Sequence, residues 1–393
     1  MTERAEIELE DEHDRYHRQS LISWWDQERL SSARVIVVGA GALGNEIVKN
    51  LALIGIGQIT LIDLDRIENS NLSRCVFFRE ADEGRFKAEV VAERAQELNP
   101  ATKIIPVVGD VRLKLGLVDF AEADVVLGGL DNREARLFVN RACWKTSTPW
   151  VDGAIEGLMG VVRVFMPPDT ACYECTMSER DHELIAARRT CALLSRDEML
   201  EGKVPTTATS SSVVAAIQAQ EAVKLLHHDR LGAPTLAGAG LNFVGLTHDS
   251  YVVQYSQRED CLSHDTYDLS AAKNVDEKST FADLLGMAKE ALGDAAILDL
   301  EHEVVLTASC SACETSEVIN LPVDALTAGS GTCPTCGQER KLDFTHSITE
   351  GSPLLTKRPD EIGLPDRDVV TGRVGLERIF LLTGGGIAGR VSA

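Results

Sequence analysis

Between Arg34 and Asp63 the chain reads RVIVVGAGALGNEIVKNLALIGIGQITLID: an apolar run, a glycine turn, apolar residues at helical spacing, and a second apolar run ending on an acid. A buried strand, a tight turn, an amphipathic helix and another buried strand account for that order, which is one βαβ unit. Further apolar runs predict strands at Lys103–Val108, Val125–Leu130 and Trp150–Asp152, with helices between them at Lys87–Leu98 and Arg133–Trp144. The alternation predicts an α/β fold built on a doubly wound, mostly parallel sheet. GVVRVFMP from Gly160 adds a strand, and TTATSSSVVAAIQAQEAVKLL from Thr206 predicts a helix rich in small residues that packs closely on its neighbours. The polar, charged stretch over about 176–205 is too long for an ordinary connection. Beyond residue 265, a capped helix near Ser279–Leu292, short strands and a cysteine cluster predict a small α+β domain. The expected division is an N-terminal helical arm (1–33), a nucleotide-type domain (34–264) and a C-terminal domain (265–393). The tail Leu381-Leu-Thr-Gly384-Gly-Gly386 is read as flexible.

Charge and cysteine usage narrow the function classes. With 39 basic against 61 acidic side chains, the net charge of −22 repels nucleic acid and anionic membrane, so neither is expected as a partner. Macromolecular partners are expected to offer basic faces. No apolar run approaches the ~18 residues of a membrane span, and the start, MTERAEIELEDEHD, is acidic where a signal peptide is basic and then apolar. A cytoplasmic chain used whole is the expectation. Most of the ten cysteines fall in C-x-x-C pairs, a pattern that reads as zinc in a reducing compartment.

Gly39-Ala-Gly41-Ala-Leu-Gly44 follows a strand and opens a helix, with Asp63 about twenty residues on. The glycines permit a tight turn and close phosphate approach, the helix N-terminus adds its dipole, and Asp63 can accept from a ribose hydroxyl. By itself this motif means a nucleotide, most often NAD in a dehydrogenase. No Walker-type G-K-[ST] is present.

The residues after the second strand change the picture. Asp63-Leu-Asp65-Arg-Ile-Glu-Asn-Ser-Asn71-Leu-Ser-Arg74 resembles the D-x-D…N-L-x-R stretch of the ubiquitin-activating superfamily, which includes the molybdopterin-synthase and thiamine-pathway adenylyltransferases. Arg15-Tyr-His-Arg18-Gln19 resembles that family's R-Y-x-R-Q, Lys87 in GRFKAE stands where it has a catalytic lysine, and Leu130-Asp131-Asn132 matches its D-N at a strand end. PTTATSSSVVAAIQAQEAVKLL is similar to the helix after the crossover loop of activating enzymes, so the likeness runs from residue 15 to about 264. The resemblance implies ATP and Mg²⁺, with Asp63 on the ribose, Asn71, Arg74 and Lys87 on phosphates, Asp131 on magnesium, and Arg18 reaching the γ-phosphate in a partner subunit. Asp65 and Asn132 complete the matched motifs. A carboxylate attacking ATP needs no general base; it needs its repulsion from the triphosphate cancelled, which these cations do.

The resemblance also raises the fate of the acyl-adenylate. In the conjugating branch a crossover-loop cysteine takes the acyl group, and AMP leaves readily from a thiolate's attack. Sorting the cysteines leaves Cys75, beside Arg74, Cys143, on a helix beside Trp144, and Cys191, in the long polar stretch. Arg188 and Arg189 would lower the thiol pKa of Cys191 by stabilising its thiolate. Cys172-x-x-Cys175 corresponds to half of the family's structural zinc site, with Cys261-Leu-Ser-His264 where the second C-x-x-C is usual. Cys310, Cys313, Cys333 and Cys336 have zinc-ribbon spacing, and four thiolates leave no open catalytic position. Two Zn²⁺ per chain are therefore expected.

The expectation is a homodimeric bacterial-type activating enzyme. It would adenylate the C-terminal glycine of a ubiquitin-like protein, form a thioester on Cys191 and hand the product to a conjugating-enzyme-like protein. The alternatives are an adenylyltransferase for a sulfur-carrier protein, an NAD-linked oxidoreductase sharing only the glycine turn and Asp63, and a non-enzymatic scaffold displaying the zinc ribbon.

Overall fold

The computed structural model describes residues 14–182, 205–231, 234–385 and 387. An eight-stranded sheet runs in the order β3-β2-β1-β4-β5-β6-β7-β8. Its strands are β1 (Arg34–Val38), β2 (Gln58–Asp63), β3 (Lys103–Val108), β4 (Val125–Gly128), β5 (Trp150–Glu156), β6 (Met159–Phe165), β7 (Ala239–Val244) and β8 (Asp249–Gln254). The first five pair in parallel, and β5 through β8 pair antiparallel. The chain winds outward from β1 to β3, then returns to β4 on the other side of β1. The crevice beyond the C-terminal ends of β1 and β4 is thus the topological switch point, where open α/β sheets bind ligands.

Alternation along β1 buries both faces. Val35 and Val37 join one core with helices α1 (Ala42–Ile54), α2 (Lys87–Leu98) and α5 (Ala208–Leu226). Ile36 and Val38 join the other with α3 (Leu117–Glu122) and α4 (Arg133–Lys145). The expected strands and helices are all present, β3 and α2 with the expected ends and others with shifted ones. β4 stops at Gly128 rather than Leu130 because the chain there turns into α4, and β5 continues to Glu156 because antiparallel pairing with β6 extends it.

A second sheet, β11-β10-β13-β14-β9 with β12 also on β10, follows. Its strands are β9 (Lys273–Asn274), β10 (Ile297–Cys310), β11 (Thr315–Pro322), β12 (Lys341–Ile348), β13 (Val369–Val374) and β14 (Glu377–Leu382), and α6 (Phe281–Leu292) packs on it through Phe281, Leu284 and Leu285. The flexible reading of the tail is corrected here: Leu381 and Leu382 lie buried in β14, and Thr383 N–H donates to the Asp368 carbonyl. The second sheet is also joined to the first. Val369, Phe380 and Leu382 share a core with Val118 and Phe120, Arg367 pairs with Asp119 and Glu122, and Asp368 accepts from Leu117 N–H at 3.0 Å. Among the described residues no helix is long and apolar enough to cross a membrane.

Candidate nucleotide site and cysteine clusters

The glycine turn sits at the head of α1. Gly39 has φ +99°, and a Cβ there would stand 2.6 Å from the Gly129 carbonyl oxygen; one on Gly44 would lie 1.8 Å from the Gly39 oxygen. Both positions are therefore closed to larger residues by backbone alone. Gly41 differs: nothing lies within 4 Å of its added Cβ, and among the described residues no side chain caps the helix it opens. A helix N-terminus without a side-chain cap, beside open space, is the arrangement that receives an anion.

Asp63, at the end of β2, accepts from Ala40 N–H and from Asp65 N–H, both at 2.7 Å. Its carboxyl therefore fixes the turn at the strand end. Burial pushes its pKa up, opposed by Lys87 and by the two backbone donors. Lys87, the first residue of α2, reaches back so that Nζ lies 3.0 Å from Asp65 Oδ2. Burial works against its charge, but Asp63 and Asp65 outweigh it and raise the pKa, so Lys87 stays a cation.

The segment after β2 folds back over this end. Asn71 is buried, and its Oδ1 accepts from Glu68 N–H at 3.0 Å, so much of its capacity is spent holding a turn. Arg74 is half-buried and donates to the Ser70 carbonyl at 2.6 Å. Cys75 lies within electrostatic reach of Arg74, Lys87 and Asp63, yet burial dominates and pushes its thiol up to about 11. Asn45 was not singled out by sequence, because a lone polar residue on a helix carries no pattern. It ties the parts together, donating to the Ala40 carbonyl at 2.8 Å and accepting from Phe77 N–H at 3.0 Å.

Asp131 and Asn132 stand exposed where β4 passes into α4, and Asn132 Oδ1 caps that helix by accepting from Ala135 N–H at 2.7 Å. Arg18 is not in this group. Its neighbour Tyr16 packs against Gly55 at the far end of α1 and bonds Asn99 at 2.6 Å. Thirteen residues of helix separate that end from Gly41, about 20 Å of rise. Cys143 is fully buried, and burial pushes its thiol up well above the ordinary range. Cys191, with Arg188 and Arg189, lies outside the described residues.

Two cysteine-rich groups bring their ligand atoms within 4.8 Å of one another. In the first, Cys172 Sγ lies 3.7 Å from Cys175 Sγ and 3.6 Å from Cys261 Sγ, and His264 Nε2 lies 3.3 Å from Cys175 Sγ. The His264 ring stacks on Trp144 with centroids 4.0 Å apart. In the second, Cys310 and Cys336 are 3.5 Å apart and Cys313 and Cys333 3.9 Å apart. Disulfides need ~2.05 Å, whereas a tetrahedral zinc with ~2.3 Å Zn–S bonds sets sulfurs ~3.7–3.8 Å apart. Both donor sets can hold that ion.

Comparison with known proteins decides the family. The ThiF family matches residues 14–263, well over half of the chain. The chain belongs to the ThiF family. Similar sequences include SUMO-activating enzyme subunit 2 of Dictyostelium discoideum, 37% identical over 149 residues, covering 38% of this chain and 22% of that protein. The NEDD8-activating enzyme E1 catalytic subunit of Arabidopsis thaliana is 39% identical over 157 residues, covering 37% of this chain and 34% of that one. The chain thus spans about a fifth to a third of these curated relatives' length. Among solved structures, E. coli MccB with ATP is similar at a TM-score of 0.53 and 26% identity, over 64% of this chain and 74% of that one. The ThiF match takes in the nucleotide-type crevice, Cys172, Cys175 and Cys261; the Cys310–Cys336 group lies beyond it.

Proposed function

We propose that this ThiF-family chain is an activating enzyme for a ubiquitin-like protein, working as a homodimer on ATP. The observation that carries the reading is the convergence, at the sheet's switch point, of an uncapped helix N-terminus with Asp63, Asp65, Lys87 and Arg74. In the first step the C-terminal glycine carboxylate of the small protein attacks the α-phosphorus of ATP. A C–O–P bond forms, the bond to pyrophosphate breaks, and no proton moves. The α1 amides, Asn71, Arg74 and Lys87 would take the phosphate charge and Asp63 the ribose, with Gly39 and Gly44 shaping the turn. Asp65 and Asn132 would line the site. Asp131 is an exposed carboxylate at the crevice, a hard oxygen donor suited to magnesium, which would supply further charge neutralisation. In the second step the Cys191 thiolate attacks the acyl carbonyl, a C–S bond forms and AMP departs. A conjugating-enzyme thiol would then take the acyl group by exchange.

Arg18's distance from its own chain's crevice favours a role in the partner's site. A mixture of Arg18→Ala and Lys87→Ala chains is then expected to regain pyrophosphate exchange that neither variant has alone. Random pairing leaves about a quarter of the sites composed of intact parts. No recovery in mixed dimers would remove Arg18 from the reaction.

The adenylating unit is taken to end near residue 264 and the α+β unit to begin at 265, each with a zinc ion that contributes folding energy. Metal analysis of the purified protein should give two zinc ions per chain, and His264→Ala should lower this to one. Retention of both in that variant would reject the first ligand set.

A further inference from the structure

Next to the loop that carries Asp131, between β4 and α4, lies a buried charge cluster that the reaction above does not use. Asp152, in β5, is wholly inaccessible to solvent. Its Oδ1 accepts from Arg136 Nε at 3.0 Å, and its Oδ2 accepts from Arg163 Nε at 3.0 Å and Nη2 at 2.6 Å. Arg136, itself buried in α4, also donates through Nη2 to the Leu130 carbonyl and to the Gly153 carbonyl at 3.0 Å. Gln218 of α5 donates to the Gly128 carbonyl at 2.8 Å. The chain on both sides of Asp131 is thus held: Gly128 by Gln218, Leu130 by Arg136, and Asn132 by its own cap on Ala135. The exposed Asp131 carboxylate itself accepts from Asn132 Nδ2 at 3.4 Å.

Stability does not account for this expenditure. A buried Arg–Asp–Arg triad returns little more than well-packed apolar residues of the same volume, and apolar side chains would suit a core that already holds Trp150 and Phe165. What apolar residues could not do is hold the Leu130 peptide. A guanidinium offers donors in a rigid fork, and Arg136 spends that fork on three elements: Asp152, the peptide before Asp131, and the peptide after Asp152.

We infer that Arg136, oriented by Asp152 and through it by Arg163, is a positioning residue that fixes Asp131 for the magnesium–triphosphate end of the nucleotide. The inference rests on the adenylation reading but not on the identity of the acceptor protein. Outer groups that orient a metal ligand typically affect affinity ~10–100-fold.

The test is calorimetric titration of the full-length zinc-loaded dimer with ATP, with and without magnesium, which needs no acceptor protein. Arg136→Lys keeps the charge and loses the fork. It is expected to weaken magnesium-dependent ATP binding about tenfold while magnesium-free ATP binding stays near wild type. Asp152→Asn, which cannot orient both arginines, should do the same. Wild-type magnesium dependence in folded Arg136→Lys would overturn the inference, since charge alone would then suffice. Equal weakening with and without magnesium would overturn it too, as a general structural loss. Should Arg136→Lys not fold, Asp152→Asn and Arg163→Lys decide by the same two titrations. Wild-type protein that binds magnesium–ATP yet exchanges no pyrophosphate with any glycine-terminated small protein would count against the proposed reaction and leave this result standing.

Discussion

Lys87→Ala should reduce ATP–pyrophosphate exchange by about 10²–10³-fold, the usual loss when one preorganised charge at a developing transition state is removed. The physical grounds are local. Lys87 is held by Asp65 at 3.0 Å and kept protonated by two carboxylates despite its burial. A cation already desolvated and already aimed costs little reorganisation when charge shifts toward the leaving pyrophosphate. Asp131→Ala should give a loss of the same order by weakening the hold on magnesium. Folding should survive both changes: the Asp65 carboxylate retains solvent contact, and Asp131 is exposed. Exchange of labelled pyrophosphate into ATP, driven by a glycine-terminated small protein, reports this step alone. Near-normal exchange in both variants would mean that the nucleotide lies elsewhere, and the adenylation reading would fall with it.

Sequence pattern reached the frame of this site more fully than its supports. The order strand, glycine turn, helix, strand, acid is local and periodic, and α2 begins and ends at the residues the apolar spacing indicates. The cysteine groups were legible for a related reason, since C-x-x-C fixes two ligands on one turn. Contacts between distant charged residues were not. Arg136, Asp152 and Arg163 look like solvated charges one at a time, and only the antiparallel register pairing Asp152 with Arg163 brings two of them together. Arg18 shows a different limit. Its motif suggests a phosphate contact, but the side of the molecule it occupies depends on Tyr16 docking at Gly55, eighty-three residues before Asn99 finds the same hydroxyl. The buried tail strand was missed because Thr-Gly-Gly-Gly is flexible by composition, whereas Leu381 and Leu382 are drawn in by a core formed largely elsewhere.

The larger divide concerns the second chemical step. Cys191→Ala is expected to retain pyrophosphate exchange and to lose all thiol-sensitive adduct with the small protein. Elimination favours this residue on physical grounds. Cys172, Cys175, Cys261, Cys310, Cys313, Cys333 and Cys336 stand in the two clusters whose donor atoms can hold a metal ion. Cys75 has its thiol pushed up to about 11 by burial, leaving about one molecule in ten thousand as thiolate at neutral pH. Cys143 is buried completely, and burial raises its thiol further from use. Cys191 has two arginines within three positions in the sequence, and neutralising Arg188 and Arg189 should slow adduct formation near pH 7 by raising the thiol pKa. Non-reducing gels after incubation with ATP, magnesium and the small protein read the outcome, with Cys75→Ala and Cys143→Ala expected to form the adduct as wild type does. An adduct persisting in Cys191→Ala would move the nucleophile to another cysteine. If wild-type protein exchanges pyrophosphate yet forms no adduct, the adenylate must be consumed by an external nucleophile, and the chain would be an adenylyltransferase for a sulfur-carrier protein rather than a conjugating-pathway enzyme.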